Sequence, residues 1–165
     1  MRFVIFTSEP VKEPHIASLE ENYLNRMKSW IPISLESQTG SRSPSFRSRR
    51  SSSGKGSSSG HPAGRRTFLP PALQRGFLIL LDETGRSLNS RQFATLLVQA
   101  THRSECDTVF AIGPATGWTP TQREEADMLL SLSPMTFPHQ IVRLLLLEQI
   151  YRGLAINRGL PYHKD

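Results

Sequence analysis

The chain has 165 residues, with 20 Lys and Arg against 14 Asp and Glu, which gives a formal net charge of +6. This length suits one domain with a single core and is short for two independent cores. The lone cysteine, Cys106, excludes an internal disulfide and a zinc site built from cysteines. No stretch approaches the roughly 20 apolar residues of a membrane span, and the opening "MRFVIF" is too short for a signal-peptide core. We therefore expect a soluble, cytoplasmic protein that is not exported.

The positive charge is concentrated in one segment. Seven basic residues fall between positions 41 and 66, where there is no Asp or Glu, and the rest of the chain carries a net charge of −1. Residues 37–60 contain 11 Ser among 24 residues and almost nothing apolar, so ordering them would cost more entropy than burial returns. We expect a mobile Ser/Arg/Gly-rich loop at about 37–66. Such a run can bind a polyanion such as RNA, although its composition slightly favours a solvated linker.

The N-terminal part predicts a strand, a helix and a second strand. "RFVIFT" is a short run of β-branched and aromatic residues, typical of a buried strand. "HIASLEENYLNRMKSW" predicts an amphipathic helix, because five apolar residues recur at helical spacing: Ile16, Leu19, Tyr23, Met27 and Trp30. "IPISLE" predicts a second strand, and Pro32 places it at a sheet edge.

The middle of the chain predicts a strand, a helix and another strand. "GFLILLD" is apolar on both faces, as a central parallel strand should be. Gly85 predicts a turn, and Asn89 or Ser90 can cap the helix "RQFATLLVQATH". "DTVFAIG" predicts the next buried strand, which ends at Gly113.

The last third begins with a capping pattern. "TPTQ", residues 119–122, has Pro at the first helical position and Gln placed to close a capping box, and "REEADMLL" is predicted to continue this helix. "LSLS" predicts the last strand, and Pro138 opens a long helix to about Asn157. The alternation predicts an α/β domain with a mostly parallel sheet flanked by helices. Ligands would gather at the carboxyl ends of its strands: after Leu81, around 113–117 and around 133–139.

No short motif assigns a function by itself. Gly113 and Gly117 stand where a strand passes into a helix, but neither a dinucleotide fingerprint nor a P-loop is present. His139 beside Pro138 is, taken alone, more typical of a structural histidine at a helix start.

Several segments together resemble one known family. They are "FAIG", Gly117, "LSLSPMTFPHQIVRLLLLEQIYR" at 130–152 and the terminal "PYHK". In order and spacing they are similar to the bacterial 23S ribosomal RNA pseudouridine-N3 methyltransferases, which belong to the trefoil-knotted SPOUT methyltransferases. The segment "LLDETGRSLNSRQFA" also resembles that family. The resemblance implies a single SPOUT domain over 1–165 with a C-terminal knot, S-adenosylmethionine as cofactor and a homodimer.

The resemblance also assigns site residues. The expected cofactor-binding residues are Leu81, Gly113, Pro114, Gly117, Leu132, Ser133, Pro134, Met135, Thr136 and Phe137. Pro114 replaces a second glycine of the family, which removes a backbone donor and fixes φ. The expected catalytic residues near the target base are His139, Arg143, Arg152, Tyr162 and His163. Methyl transfer to an imide nitrogen requires positioning and help with one proton, and no metal.

The long C-terminal helix predicts the assembly. Apolar residues cover most of its circumference, which suits packing on its own sheet and against a partner subunit. The sequence thus favours an enzyme that methylates N3 of a pseudouridine in 23S rRNA, in assembled ribosomes. Two alternatives stay open: an RNA-binding protein that kept the fold but lost activity, and a SPOUT methyltransferase with another RNA target.

Overall fold

The structure, a computed structural model, describes residues 1–10, 12–38, 66–102 and 106–162. The strands in this part of the chain are β1 (Phe3–Thr7), β2 (Ile33–Ser37), β3 (Phe77–Ser87), β4 (Thr108–Ile112) and β5 (Met128–Ser131). The α-helices are α1 (Pro14–Met27), α2 (Ser90–His102), α3 (Pro120–Glu124) and α4 (His139–Asn157), and Pro71–Leu73 forms a 3-10 turn. Most of the loop expected at about 37–66 lies outside the described residues.

The five strands form one parallel sheet in the order β2-β1-β4-β3-β5, which confirms the predicted α/β class. The edge position expected for β2 is also confirmed. One face packs against α1, α2 and α4, through residues such as Met27, Leu97 and Ile150. The other face is covered by Leu69, Leu73 and Trp118. All five residues of β1 and of β4 are buried, so these two strands lie in the middle of the core.

The turn predicted at Gly85 is wrong, because β3 continues through it to Ser87. The pairing of β3 with β5 shifts register between Leu81 and Arg86, and Gly85 lies inside this irregularity. A Cβ atom at Gly85 would lie 2.7 Å from the backbone of Leu129. The glycine is therefore needed for close approach of two strands rather than for a reversal of the chain.

The prediction that "REEADMLL" continues a helix is also wrong. The capping box of Thr119 and Gln122 is present, but α3 ends at Glu124 and β5 begins at Met128, two residues before the predicted "LSLS" strand. Asp127 explains the change, since its N–H donates to the Leu78 carbonyl at 2.9 Å and its carboxylate accepts from the Leu78 N–H at 2.7 Å. These bonds to β3 direct the following apolar residues into the sheet.

Helix α1 buries a charged residue that the apolar spacing did not predict. Leu19 is 49% exposed, whereas Glu20 is only 2% exposed and faces α4. Both oxygens of Glu20 accept from Arg143, at 2.6 Å from Nε and 2.5 Å from Nη2. This buried bidentate pair joins helices α1 and α4.

Glu20→Ala should destabilise the protein far more than Glu21→Ala, which changes the exposed neighbouring residue. Glu20→Ala leaves the Arg143 guanidinium buried without an anion, and we expect the free energy of unfolding to fall by about 3 to 5 kcal/mol. Glu21→Ala should change it by less than about 0.5 kcal/mol. Urea unfolding followed by circular dichroism measures both. A Glu20→Leu/Arg143→Met double variant should recover most of the loss, and equal effects of the two alanine variants would contradict a structural role for the pair.

Candidate active site

The three segments expected to matter meet around one cavity of about 500 Å³, beside the middle of β3 and the carboxyl end of β4. The segment after Leu81 is part of β3 and not a loop. The middle of β3 contributes residues 81–83, and the last residue of β4 with the segment after it contributes 112–118. The segment between β5 and α4 contributes most of residues 132–139, and Arg123 of α3 and Val142 of α4 complete the lining. The parallel sheet therefore brings together segments that are far apart in sequence.

Nine of the ten expected cofactor-binding residues line this cavity. They are Leu81, Gly113, Pro114, Gly117, Leu132, Ser133, Met135, Thr136 and Phe137, whereas Pro134 is not part of the lining. Among the expected catalytic residues, His139 lines the cavity. Contact of these residues with a cofactor stays a prediction.

Trp118 forms one wall of the cavity, and sequence reasoning missed it. Its indole Nε1 donates to the carbonyl of Leu81 at 2.9 Å, and the ring is buried. A Cβ atom at Gly113 would lie 2.9 Å from Cε2 of the indole, so the ring packs directly on the glycine backbone. Trp118 thereby fixes the distance between the middle of β3 and the loop that follows β4. The only sequence signal was a large apolar residue directly after Gly117.

Gly117 closes a turn that starts at Pro114. The Gly117 N–H donates to the Pro114 carbonyl at 2.9 Å, and Gly117 has φ of 74°, in the left-handed region that favours glycine. The turn uses the carbonyl of Pro114 and needs no N–H from it. The proline is therefore compatible with this loop conformation.

An ion pair that the sequence did not suggest also lines the cavity. Arg123 Nε lies 2.9 Å from Oδ2 of Asp82, whose side chain is only 3% exposed. Oδ1 of Asp82 accepts from the Thr84 hydroxyl at 2.6 Å and from the Thr84 N–H at 2.9 Å. Burial raises the pKa of Asp82, but the Thr84 hydrogen bonds and the Arg123 charge outweigh it and lower the pKa below its ordinary value. Asp82 is therefore an anion at neutral pH.

His139 connects the cavity to the segment between β1 and α1. Its Nε2 atom lies 3.4 Å from a carboxylate oxygen of Glu9, and the side chain is partly exposed. The next residue, Gln140, accepts a hydrogen bond from the Glu13 N–H at 3.3 Å. The first turn of α4 is thus held against the chain that leads into α1.

Three of the other expected catalytic residues, Arg143, Arg152 and Tyr162, do not line this cavity in a single chain. Arg143 is bound to the buried Glu20, as described above. Arg152 lies further along α4, where it donates to Glu148 at 2.7 Å. Tyr162 packs near it, and His163 lies outside the described residues.

Tyr162 belongs to an aromatic cluster at the C-terminal half of α4. Its ring meets Tyr151 edge-on at 4.6 Å, and the guanidinium of Arg152 lies 5.1 Å from its centre. Arg26 of α1 lies 4.0 Å from the centre of the Tyr151 ring and donates to its hydroxyl at 2.7 Å. Trp30 stacks on the same ring at 5.2 Å. These contacts hold Tyr162 against α4 and the cluster that Arg26 of α1 joins.

Comparison with known proteins identifies the family. The family described as "Predicted SPOUT methyltransferase" matches residues 1–163. The chain belongs to the SPOUT methyltransferase family. Family membership confirms the resemblance found in the sequence and implies a methyl donor of the S-adenosylmethionine type. The trefoil knot stays a prediction.

Individual relatives of this SPOUT methyltransferase carry one name, "Ribosomal RNA large subunit methyltransferase H". The protein from Prochlorococcus marinus (strain NATL1A) is 47% identical over 89 residues, which cover 54% of this chain and 59% of the relative. The protein from Streptococcus thermophilus (strain CNRZ 1066) is 46% identical over 90 residues, 54% of this chain and 57% of the relative. These matches thus span little more than half the length of each relative. The protein from Geobacter sp. (strain M21) is 33% identical over 168 positions that cover all of both chains.

In the part of the chain that the structure describes, no helix is both long and apolar enough to cross a membrane. Among the same residues, no group of three His, Cys, Asp or Glu side chains is close enough together to hold a metal ion.

Gly113→Ala should destabilise the chain through Trp118. The new Cβ would press on the indole and weaken its bond to Leu81, and we expect a loss of about 1 to 3 kcal/mol in unfolding free energy. Ala115→Ser, at an exposed position of the same loop, is the matched control. Urea unfolding followed by circular dichroism measures both.

A Trp118→Leu substitution provides the second test of this contact. In the Gly113→Ala background it should cost clearly less than it costs alone, because the two residues share one contact. Additive effects of the two substitutions would contradict the proposed packing.

Proposed function

We propose that the chain is an S-adenosylmethionine-dependent methyltransferase that methylates N3 of a pseudouridine in 23S rRNA of the large ribosomal subunit. The observation that carries the proposal is the cavity beside β3 and the carboxyl end of β4, in a member of the SPOUT family. The name of the relative matched from end to end supports ribosomal RNA as the substrate.

The cavity fits the cofactor in size and in lining. Its volume of about 500 Å³ is within the usual range for small-molecule sites, roughly 300 to 1,000 Å³. Apolar groups on several elements suit an adenine ring: Leu81, Ile112, Leu132, Phe137 and Val142. Backbone groups of 113–117 and 132–137 would bind the nucleoside, and Asp82 with Arg123 supplies charge at the same cavity.

The geometry of the loop around Pro114 favours an active enzyme over an inactive RNA-binding protein. The turn closes through the Pro114 carbonyl, so the absence of an N–H costs the turn no hydrogen bond. Gly113 and Gly117 still lie at the cavity wall. The replacement of the family's second glycine therefore leaves the pocket formed.

The chemistry requires removal of one proton from the base. When bound, S-adenosylmethionine supplies a methyl group on a sulfonium sulfur, with a neutral thioether as the leaving group. N3 of pseudouridine is an imide nitrogen, and its proton must leave as the N–C bond forms. We assign the acceptor role to His139, the ionisable imidazole at the cavity. Glu9 near Nε2 favours the tautomer with its proton on that nitrogen, which leaves Nδ1 free to accept.

A homodimer would bring the remaining catalytic residues to the cavity. Along α4, Tyr151 lies about 14 Å beyond the cavity residue Val142, so the docked Tyr162 does not reach the cavity of its own chain. Ile141 and Leu145 on α4 are 36% and 38% exposed, although both are large and apolar. We propose that this face packs on a second copy, whose Arg152, Tyr162 and His163 complete the site.

The enzymatic proposal makes a direct prediction about cofactor and product. Purified protein should bind S-adenosylmethionine in calorimetry, and 23S rRNA from a deletion strain should lose one methylated pseudouridine by mass spectrometry. Re-expression of the wild-type chain should restore that methyl group, and His139→Ala should restore much less of it while keeping cofactor binding.

Other outcomes separate the alternatives. Absence of cofactor binding would favour an RNA-binding protein without activity. Persistence of the methyl group in the deletion strain, with loss of another methylated uridine, would favour a different RNA target.

The dimeric site predicts complementation between two defective chains. Tyr162→Ala should remove the ring that the second copy contributes to the site, and Thr136→Arg should block the cavity at an exposed lining position. Each homodimer should be nearly inactive, whereas co-expressed chains should regain activity, because one site of the mixed dimer has both an intact cavity and an intact Tyr162 from the other chain. No recovery in purified mixed dimers would contradict a site shared between subunits.

The dimer interface is tested separately by sedimentation. Ile141→Glu/Leu145→Glu should give a monomer, because two carboxylates would be buried at the interface. Lys28→Glu, an exposed charge change beyond α1, should stay dimeric.

A further inference from the structure

We propose that Asp82 and Arg123 form a subsite for a zwitterionic amino-acid group, in which Asp82 binds the ammonium and Arg123 binds the carboxylate. The inference rests on the proposed function, because S-adenosylmethionine ends in such a group. Adenosine would occupy the part of the cavity near Leu81 and Gly113, and the amino-acid end would extend to the ion pair.

Both charges are at the cavity and come from different elements. Asp82 directly follows Leu81 in the middle of β3, and Arg123 belongs to α3. Both line the cavity. A ligand that spans it from the Leu81 wall would therefore meet an anion and a cation next to each other.

Asp82 has the properties of an ammonium ligand. Its Oδ1 atom already accepts two hydrogen bonds from Thr84, whereas Oδ2 faces Arg123 alone among the described residues. A carboxylate oxygen can accept two hydrogen bonds, so Oδ2 retains capacity for an N–H of the ligand. The lowered pKa of Asp82 keeps it ionised at neutral pH despite its burial.

Arg123 retains donors for a carboxylate. Nε is close to Asp82, but its N–H is not aligned for a hydrogen bond. The described residues provide no hydrogen-bond acceptor for its two Nη atoms, and the side chain is 38% exposed. A guanidinium with free Nη atoms binds a carboxylate with two parallel hydrogen bonds.

A purely structural ion pair explains these features less well. A partly exposed pair contributes little to stability, and here it requires the burial of a charged Asp82. The other ionisable residues of the lining are Glu83, which is exposed, and His139, which lies near Glu9. The only adjacent opposite charges in the described lining are thus Asp82 and Arg123.

The test compares two ligands that differ in the amino-acid group. S-adenosylhomocysteine carries this group and no transferable methyl, whereas 5′-methylthioadenosine lacks it. Isothermal calorimetry on the full chain measures both. Asp82→Asn and Arg123→Met should each weaken S-adenosylhomocysteine about 10- to 100-fold, since each removes a charged hydrogen-bonding partner. Affinity for 5′-methylthioadenosine should stay within about twofold.

Matched variants control for charge and folding. Glu124→Gln removes an exposed carboxylate of α3 outside the lining and should change neither affinity. Arg123→Lys should restore part of the loss caused by Arg123→Met. If Asp82→Asn does not fold, the Arg123 variants alone decide the proposal.

The outcomes distinguish this subsite from the proposed function. Equal losses for both ligands would mean that the pair only shapes the cavity, and unchanged affinity for S-adenosylhomocysteine would mean that it does not touch the ligand. Either result would overturn the subsite. Binding of S-adenosylhomocysteine by the wild-type chain would still support the proposed function. Failure of the wild-type chain to bind either nucleoside would overturn both.

Discussion

The parallel pairing of β3 with β4 and β5 is the constraint on which the site depends. Because all strands point the same way, the segments that leave them emerge at one edge of the sheet. Trp118 then joins two of these segments through its bond to Leu81, and Asp82 joins β3 to α3 through Arg123. The cavity is therefore shaped by bonds that join β3 to the loop after β4 and to α3, next to the buried part of the sheet.

Helix α4 connects this cavity to the rest of the molecule. Its first residue, His139, reaches the cavity, and its middle is fixed by Arg143 to the buried Glu20. Its second half holds the aromatic cluster with Tyr162. Arg143 was expected to act near the base, but its geometry assigns it the placement of α4. A loss of activity after its substitution would therefore need to be separated from a loss of folding.

The sheet could be predicted because its buried strands are short apolar runs between turn residues. The helix caps could be predicted because they depend on side chains a few residues apart. "DTVFAIG" and the capping box at Thr119 are of this kind. Errors occurred where a distant partner decides local structure. Asp127 ends α3 by its bonds to Leu78, and Glu20 is buried because α4 brings a guanidinium to it. Neither partner is visible from one segment, since the apolar period of a helix carries no information about ion pairs between elements.

The same reasoning applies to the site. The backbone loops were predicted by resemblance because their glycines and prolines occur in a fixed order, whereas Asp82, Trp118 and Arg123 are ordinary residues until the fold places them together. Their arrangement divides the cavity by polarity. Aromatic and aliphatic groups line the part that suits a nucleoside, and the ion pair supplies complementary charge for a zwitterionic end. A ligand with both kinds of group would contact the apolar lining and the ion pair, whereas a nucleoside alone would leave Arg123 hydrated.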